Sequence, residues 1–371
     1  MLFFAAVSYV LRHCGFFGVR RLYSNVNGFV FKLWKGTVVS MDESIIKINN
    51  LVKKYHRFKK KEGIRGSLAS LWKRKYEERI AINHIDLSVN EGEFTGLIGP
   101  NGAGKTTLIK MMTGIIAPSG GSIEVMGYYP NDLKNSFKKQ YAVVMGQKSQ
   151  LFFELTVNDT LRLFKEIYEM PVKEYQESRD YFINLFGVKD IMDVQVRALS
   201  LGERMKMELL AALLHNPRIL FLDEPTIGLD AVASKQIRGF LKEVNKQRGT
   251  TIILVSHYME DIKSLCQRTV VINNGIKVFD GKTDGLFAKY QKNKKLHVTF
   301  QNPPGDINFK TKLISVYEES PYKKVYEVAK QDVKALLTEI TEYGLKDIII
   351  EEEETGTIVE RIYKEGGVNC V

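Results

Sequence analysis

The sequence predicts an α/β fold with a mostly parallel core sheet, a helical insert and a small C-terminal α+β appendage. Three observations predict it. Short apolar runs bounded by turn residues alternate with helical periodicity over residues 45–290, the pattern of a parallel sheet wound with helices. Two amphipathic helical stretches, 158–169 and 173–186, follow one another with no strand signal between them. After Tyr290 a new and smaller set of strand and helix signals begins.

The elements follow in order. Residues 45–52 and 80–89 read as strands, separated by a basic segment with a possible helix at 68–76. The buried strand 94–98 runs into a glycine-rich loop, and a helix at 106–114 ends on Gly114. Strands follow at 122–126 and 141–145, then the helical insert, then a helix at 201–215. The wholly apolar run 219–222 is a strand, 234–247 a helix and 251–255 a second buried strand. Residues 270–273 and 276–280 form a hairpin around Asn274-Gly275. In the appendage, 296–300, 311–316, 324–328 and 347–351 read as strands and 333–343 as a helix. Residues 292–295 and 301–305 read as linker, and Glu351 to Glu354 as a solvated acidic turn rather than a metal site. The expected division is an extension at 1–40, a main domain at 41–290 with its helical part at about 156–200, and an accessory domain at 291–371.

Composition narrows the functional classes. No run approaches the roughly 18 uncharged apolar residues of a membrane helix, so the chain is not expected to span a bilayer by itself. Cys14, Cys266 and Cys370 are scattered and odd in number, which argues against a disulfide framework or a metal cluster and fits a reducing compartment. The net charge of +11 is concentrated in two segments. Residues 1–41 carry five Lys/Arg and no acid, and residues 53–79 carry eleven Lys/Arg against Glu62, Glu77 and Glu78. Neither segment interleaves aromatics with its cations as a nucleic-acid platform does. A membrane-proximal face is therefore favoured over nucleic acid, beside the plain reading of a solvated basic face. Residues 1–40 mix apolar clusters with basic residues. They read as an upstream start ahead of a natural Met41, as an arm binding a membrane or partner, or as a targeting segment.

The chemistry starts at Gly99-Pro100-Asn101-Gly102-Ala103-Gly104-Lys105-Thr106, followed by Thr107. This is the phosphate-loop pattern, with a strand before it and a helix after it. Glycines let successive backbone N–H groups converge on a phosphate, and the helix points its positive end at the same anion. Lys105 is placed to reach the β- and γ-phosphates and the Thr106 hydroxyl to ligate Mg²⁺. The run Ile219-Leu220-Phe221-Leu222 ends in Asp223 and Glu224. Read alone, these acids could simply open a turn before Pro225. Beside a phosphate loop, at the carboxyl end of a buried strand, Asp223 is expected to hold Mg²⁺ and Glu224 to act as general base. Together these motifs define a P-loop NTPase.

Leu199-Ser200-Leu201-Gly202-Glu203 precedes the acid strand, and Gln147, Gly228-Leu229-Asp230 and His257 complete an ordered series. From about Ile45 to Tyr290 the chain resembles the ATP-binding cassette (ABC) family. The resemblance implies ATP and Mg²⁺ as ligands and a head-to-tail pair of cassettes, with each ATP held between the phosphate loop of one copy and the signature of the other. Ser200, Gly202 and Glu203 would then face the partner's ATP, and Asp230 would cross the interface. Gln147 would sense Mg²⁺ and the attacking water, His257 would contact the γ-phosphate, and Tyr55 would stack on adenine. An antiparallel β subdomain is implied as well. Leu201 and Glu203 depart from the usual Leu-Ser-Gly-Gly-Gln signature, and Glu203 puts the usual polar contact there in doubt. The segment 57–79 is a further departure.

The wording around Gln147, the signature and Asp223–Asp230 is similar to a bacterial branch grouped with multidrug and viologen-type exporters. That implies separate membrane-spanning permease subunits and a peripheral place on the cytoplasmic face of the membrane. The helical insert with residues 147–156 would receive a helix of the permease, with Phe152 and Phe153 as contacts or as core. No nucleic-acid partner is expected. A soluble ATPase of translation or DNA metabolism, and a nucleotide-gated regulator, remain the rival classes.

Overall fold

Apolar runs of about five residues, bounded by turns, become the core strands of the computed structural model. It describes residues 23–26, 29–34, 37–40, 44–58, 76–146, 148–305, 307–353, 358 and 361–362. These fall into two compact units, Met1–Ser44 and Ile45–Val371. In the first, β1 (Tyr23–Val26), β2 (Phe29–Trp34) and β3 (Thr37–Ser40) pair antiparallel in chain order.

The second unit carries a three-stranded sheet of β4 (Ser44–Phe58), β5 (Tyr76–Asn90) and β7 (Gly120–Val125), in the order β5-β4-β7. Strand β4 runs antiparallel to β7. The core sheet holds β6 (Phe94–Ile98), β8 (Tyr141–Met145), β9 (Ile219–Asp223), β10 (Thr251–Val255), β11 (Arg268–Asn273) and β12 (Ile276–Lys282). Its order is β12-β11-β6-β10-β9-β8, and only the pairing of β11 with β12 is antiparallel among the described residues. Strands β6 and β10 are buried along their whole length. Both faces of this sheet are covered, which is why the sequence shows continuous apolar runs there rather than alternation.

Register makes this sheet a platform. Val255 lies level with Leu97 on one side and with Asp223 on the other, and Asp223 lies level with Met145. The carboxyl ends of four strands therefore finish on one edge, where an open α/β sheet binds its ligands. Helix α1 (Lys105–Met112) leaves that edge directly after β6 and buries Leu108, Ile109, Met111 and Met112.

Helix α2 (Asn135–Lys138) is a single turn. The insert consists of α3 (Val157–Ile167), capped by the Thr156 side chain, and α4 (Val172–Phe186), which ends on Gly187. Their apolar faces join α5 (Leu201–Leu213) and the core sheet in one cluster that includes Leu161, Phe182 and Phe186. A fully buried side chain of this size contributes about 1.5–3 kcal/mol, so these residues anchor the insert to the core. Helices α6 (Ala231–Arg248), α7 (Met259–Leu265) and α8 (Thr283–Tyr290) complete the core layer.

The C-terminal strands are β13 (Asn293–Phe300), β14 (Leu313–Ser320), β15 (Lys323–Ala329) and β16 (Leu345–Glu352), in the order β14-β15-β13-β16. Helix α9 (Val333–Thr341) covers one face, with Leu336 and Ile340 packed on Leu296, Val298, Phe300 and Tyr326.

Two expectations are corrected here. Residues 292–295 are not linker, because β13 already starts at Asn293. Lysines are tolerated in that strand because Lys294 pairs with Glu352 at 3.1 Å. The acidic run is not simply solvated either. Glu353 is buried, bonded to Arg361 at 2.5 Å, and accepts the backbone N–H of Lys292 at 3.2 Å. Buried carboxylates need such partners.

Candidate nucleotide site

The loop after β6 is shaped by close backbone approaches. Gly104 has φ +110°, and a Cβ there would lie 2.5 Å from the Ala81 carbonyl oxygen. A Cβ at Gly99 would lie 2.1 Å from the carbonyl oxygen of Ile272. Any side chain at either position would push the loop off the sheet edge. Lys105 is buried, and its ammonium donates to the carbonyls of Gly99 at 2.6 Å and Pro100 at 3.0 Å. Burial pushes its pKa below the ordinary lysine value, while Glu224 and Asp223 pull it back up. The Thr106 hydroxyl donates to the Asp223 carboxylate at 3.1 Å.

Glu224 has φ 57°, in the left-handed region that a glutamate rarely enters. Strain of this kind costs about 1–3 kcal/mol and concentrates at functional sites. The turn is pinned by the Glu224 N–H donating to the Val255 carbonyl at 2.8 Å. The result is a direct contact, with His257 Nε2 2.8 Å from Glu224 Oε1.

These groups line one cleft of about 490 Å³, together with Tyr55, Asn101, Gly102, Ala103 and Thr107, a volume in the range of small-ligand pockets. Gly99 and Pro100 lie behind it and hold Lys105. Tyr55 is 37% exposed, with the Lys53 ammonium 5.2 Å from its ring centre. His56, Arg79 and Ala81 also line the cleft. In the sequence Arg79 is only part of a charged segment, and no local motif marks it. Gln147 lies outside the described residues.

A second opening of about 330 Å³ is lined by Ser200, Gly202, Glu203, Gly228 and Asp230, among others, and shares no lining residue with the first. Its Ser200 and Glu203 form a capping box on α5. Glu203 Oε2 accepts the Ser200 hydroxyl at 2.7 Å and the Ser200 N–H at 2.9 Å. These bonds hold the Glu203 pKa below its ordinary value. The charge that replaces the usual glutamine is thus folded back onto its own helix start. Asp230 caps α6 by accepting the Ala233 N–H at 2.7 Å.

An ABC transporter family model matches residues 82–227. The chain is 30% identical over 222 residues to the ABC transporter ATP-binding protein NatA of Bacillus subtilis, covering 60% of this chain and 89% of that one. The chain belongs to the ABC transporter ATP-binding protein family. This cassette is also 33% identical over 218 residues to the Nod factor export ATP-binding protein I of Bradyrhizobium diazoefficiens, covering 59% and 71% of the two chains. It is 34% identical over 220 residues to the probable multidrug ABC transporter ATP-binding protein YbhF of Escherichia coli, covering 58% and 37%. Among solved structures it is similar to cbiO1 of Clostridium perfringens, part of the ABC transporter complex cbiONQ. That match has 25% identity and a TM-score of 0.56, and covers 67% of this chain and 92% of that one.

The cassette is an ATP-binding ATPase subunit, and the residues present fit the ligand. The glycines bring the loop backbone up to the cleft, and the Lys105 ammonium is hydrogen-bonded to the neutral carbonyls of Gly99 and Pro100. Thr106 and Asp223 offer the hard oxygen donors that Mg²⁺ takes.

Proposed function

We propose that this cassette drives export through a separate membrane-spanning permease, by closing on ATP against a second cassette. The observation that carries the ATP-driven part of the reading is the Glu224–His257 contact at 2.8 Å in the phosphate-loop cleft. Glu224 takes a proton from the attacking water, while Lys105 and His257 hold the charge that develops on the transferred phosphoryl group. Thr106 and Asp223, with Gln147, would hold Mg²⁺, which supplies charge neutralisation between the phosphates. Tyr55 stacks on the adenine. Ser200 and Gly202 of the second copy present a helix N-terminus to the same triphosphate, and Asp230 lies on that interface.

Export is favoured by relatives whose names specify Nod factor export and multidrug transport. Among the described residues no helix is long and apolar enough to cross a membrane, so the transport path is assigned to the permease. The cassette sits peripherally on the cytoplasmic face. The functional division is 1–40 as an extension, 41–290 as the cassette and 291–371 as an accessory domain.

Phe152 and Phe153 are 45% and 42% exposed, which favours contact with the permease over a core role. Co-purification from detergent-solubilised membranes tests the reading directly. A polytopic membrane protein is expected with the wild-type cassette and is expected to be lost when both phenylalanines become alanine, with basal ATP hydrolysis retained. Recovery of ribosomes or DNA in place of a membrane protein would overturn it.

A further inference from the structure

The contact between Glu224 and His257 joins two turns that are 33 residues apart, and neither turn is held by that contact alone. A third acid lies behind them. Asp261, on α7, is 1% exposed. Its Oδ2 accepts the Thr226 hydroxyl at 2.5 Å and the Ser256 hydroxyl at 3.1 Å. Its Oδ1 accepts Arg238 Nη1 at 2.9 Å, and the other arm of Arg238 reaches Glu260 at 2.9 Å. Thr226 and Ser256 are themselves buried.

The donors matter for where they sit. Thr226 is two residues past Glu224, in a turn closed by the Ile227 N–H donating to the Glu224 carbonyl at 3.2 Å. The next turn begins on Thr226, whose carbonyl accepts the Leu229 N–H at 3.2 Å, and leads to Asp230. Ser256 directly precedes His257, and its hydroxyl accepts the Tyr258 N–H at 2.9 Å. Arg238 projects from α6, the helix that Asp230 caps. One carboxylate therefore gathers the turn carrying the base, the turn carrying the histidine, and the helix that starts at the loop assigned to the second copy. A buried acid with three donors is a rigid junction, since losing any one leaves a polar group unsatisfied.

We propose that Asp261 is a positioning residue: it locks the Glu224 and His257 turns to α6, so that the loop at Asp230 and the reacting pair move as one unit. Contact of a second cassette with that loop then moves base and histidine together, at a fixed spacing, relative to the phosphate loop. This rests on the roles given above to Glu224 and to the cassette pair.

The test uses the full chain and reads kcat and KM for ATP separately, because a positioning loss appears in kcat. Thr226→Val removes one donor without removing a charge. It is expected to lower kcat by roughly tenfold or more, since a misplacement of about 1 Å can cost about 10²-fold, with KM for ATP within about twofold. Thr226→Ser keeps the hydroxyl and is expected to restore most of the loss. Asp261→Asn is expected to lower kcat further. If that variant fails to fold because the largely buried Arg238 keeps only Glu260 as its acid partner, the threonine pair decides alone. Glu224→Gln is the control for the underlying reading. Wild-type turnover in Glu224→Gln sinks the base role itself. Loss of turnover there, with an unchanged kcat in Thr226→Val, overturns the Asp261 proposal only. Equal loss in the valine and serine variants also overturns it.

Discussion

The two openings of this cassette divide the work unequally. The phosphate-loop cleft gathers Lys105, Thr106, Asp223, Glu224 and His257, with His56 and Arg79 also on its wall. The signature opening offers a capped helix start at Ser200, a bare glycine at 202 and a carboxylate already spent on a cap at Asp230. The first is strained, with a left-handed glutamate and a loop that has no room for a Cβ at Gly99 or Gly104. The second is relaxed, its side chains in ordinary capping geometry. On the proposed reading the strained opening is the one that does chemistry, and the opening with satisfied caps is the one that recognises the second copy's nucleotide. On that reading a cassette alone holds the reacting groups, and the proposed second copy supplies the other wall.

The sharpest break would come at the base. Glu224→Gln keeps the shape of the cleft and removes the proton acceptor, so phosphate release is expected to fall by about 10²–10⁴-fold. ATP affinity, read by equilibrium titration, should hold. Lys105→Ala should act the other way, on binding. Charge-assisted hydrogen bonds are worth about 1.5–3 kcal/mol, so affinity should drop by roughly 10–100-fold. An unchanged affinity would mean that Lys105 stays on Gly99 and Pro100 when ATP is bound.

The signature opening predicts a different symptom. Gly202 has room only for a tight neighbour, as a Cβ there would meet the Ala233 Cβ at 3.2 Å. Gly202→Glu places a negative charge at the helix start meant for the partner's triphosphate. Hydrolysis should fall by about tenfold, the magnitude of roughly 1.4 kcal/mol, and should lose its dependence on protein concentration. ATP binding to the isolated cassette should not change. A matching loss of affinity in dilute protein would show that the two openings are not separate.

Much of this was legible in the sequence, and the exceptions share a cause. Strands β6, β8 and β10 match their expected bounds because a short apolar run between turns has little freedom in a doubly covered sheet. Helices α7 and α8 went unread. Each spans only seven or eight residues, and neither follows a motif such as the glycine loop that announces the equally short α1. The phosphate loop and the acid pair were visible because their chemistry is local in sequence. Arg79 and Asp261 were invisible because their partners arrive from afar: Arg79 meets the loop at Gly102 across the cleft, and Asp261 takes donors from residues 226, 238 and 256. Glu203 was legible as a departure but not as a cap, since its two bonds to Ser200 depend on the helix having started.

Glu203 also gives the finest test of the comparison. Its pKa is lowered by the Ser200 hydroxyl first and the Ser200 N–H second. A carboxylate depressed in the folded state adds stability above its unfolded pKa and loses it as pH falls through the folded value. Glu203→Gln keeps a side chain that can close the capping box, because glutamine serves at that position too, but removes the titration. Wild type should therefore lose ground to the variant as pH falls below the ordinary glutamate value. The group is partly exposed and screened, so the difference should be small, about 0.5 kcal/mol. Paired thermal melts between pH 6 and pH 3 would measure it, with the wild-type-minus-variant difference as the readout. A flat difference would mean that Glu203 is not folded onto Ser200 in solution. Its charge would then face the seam, where it would repel the triphosphate that the signature is meant to receive.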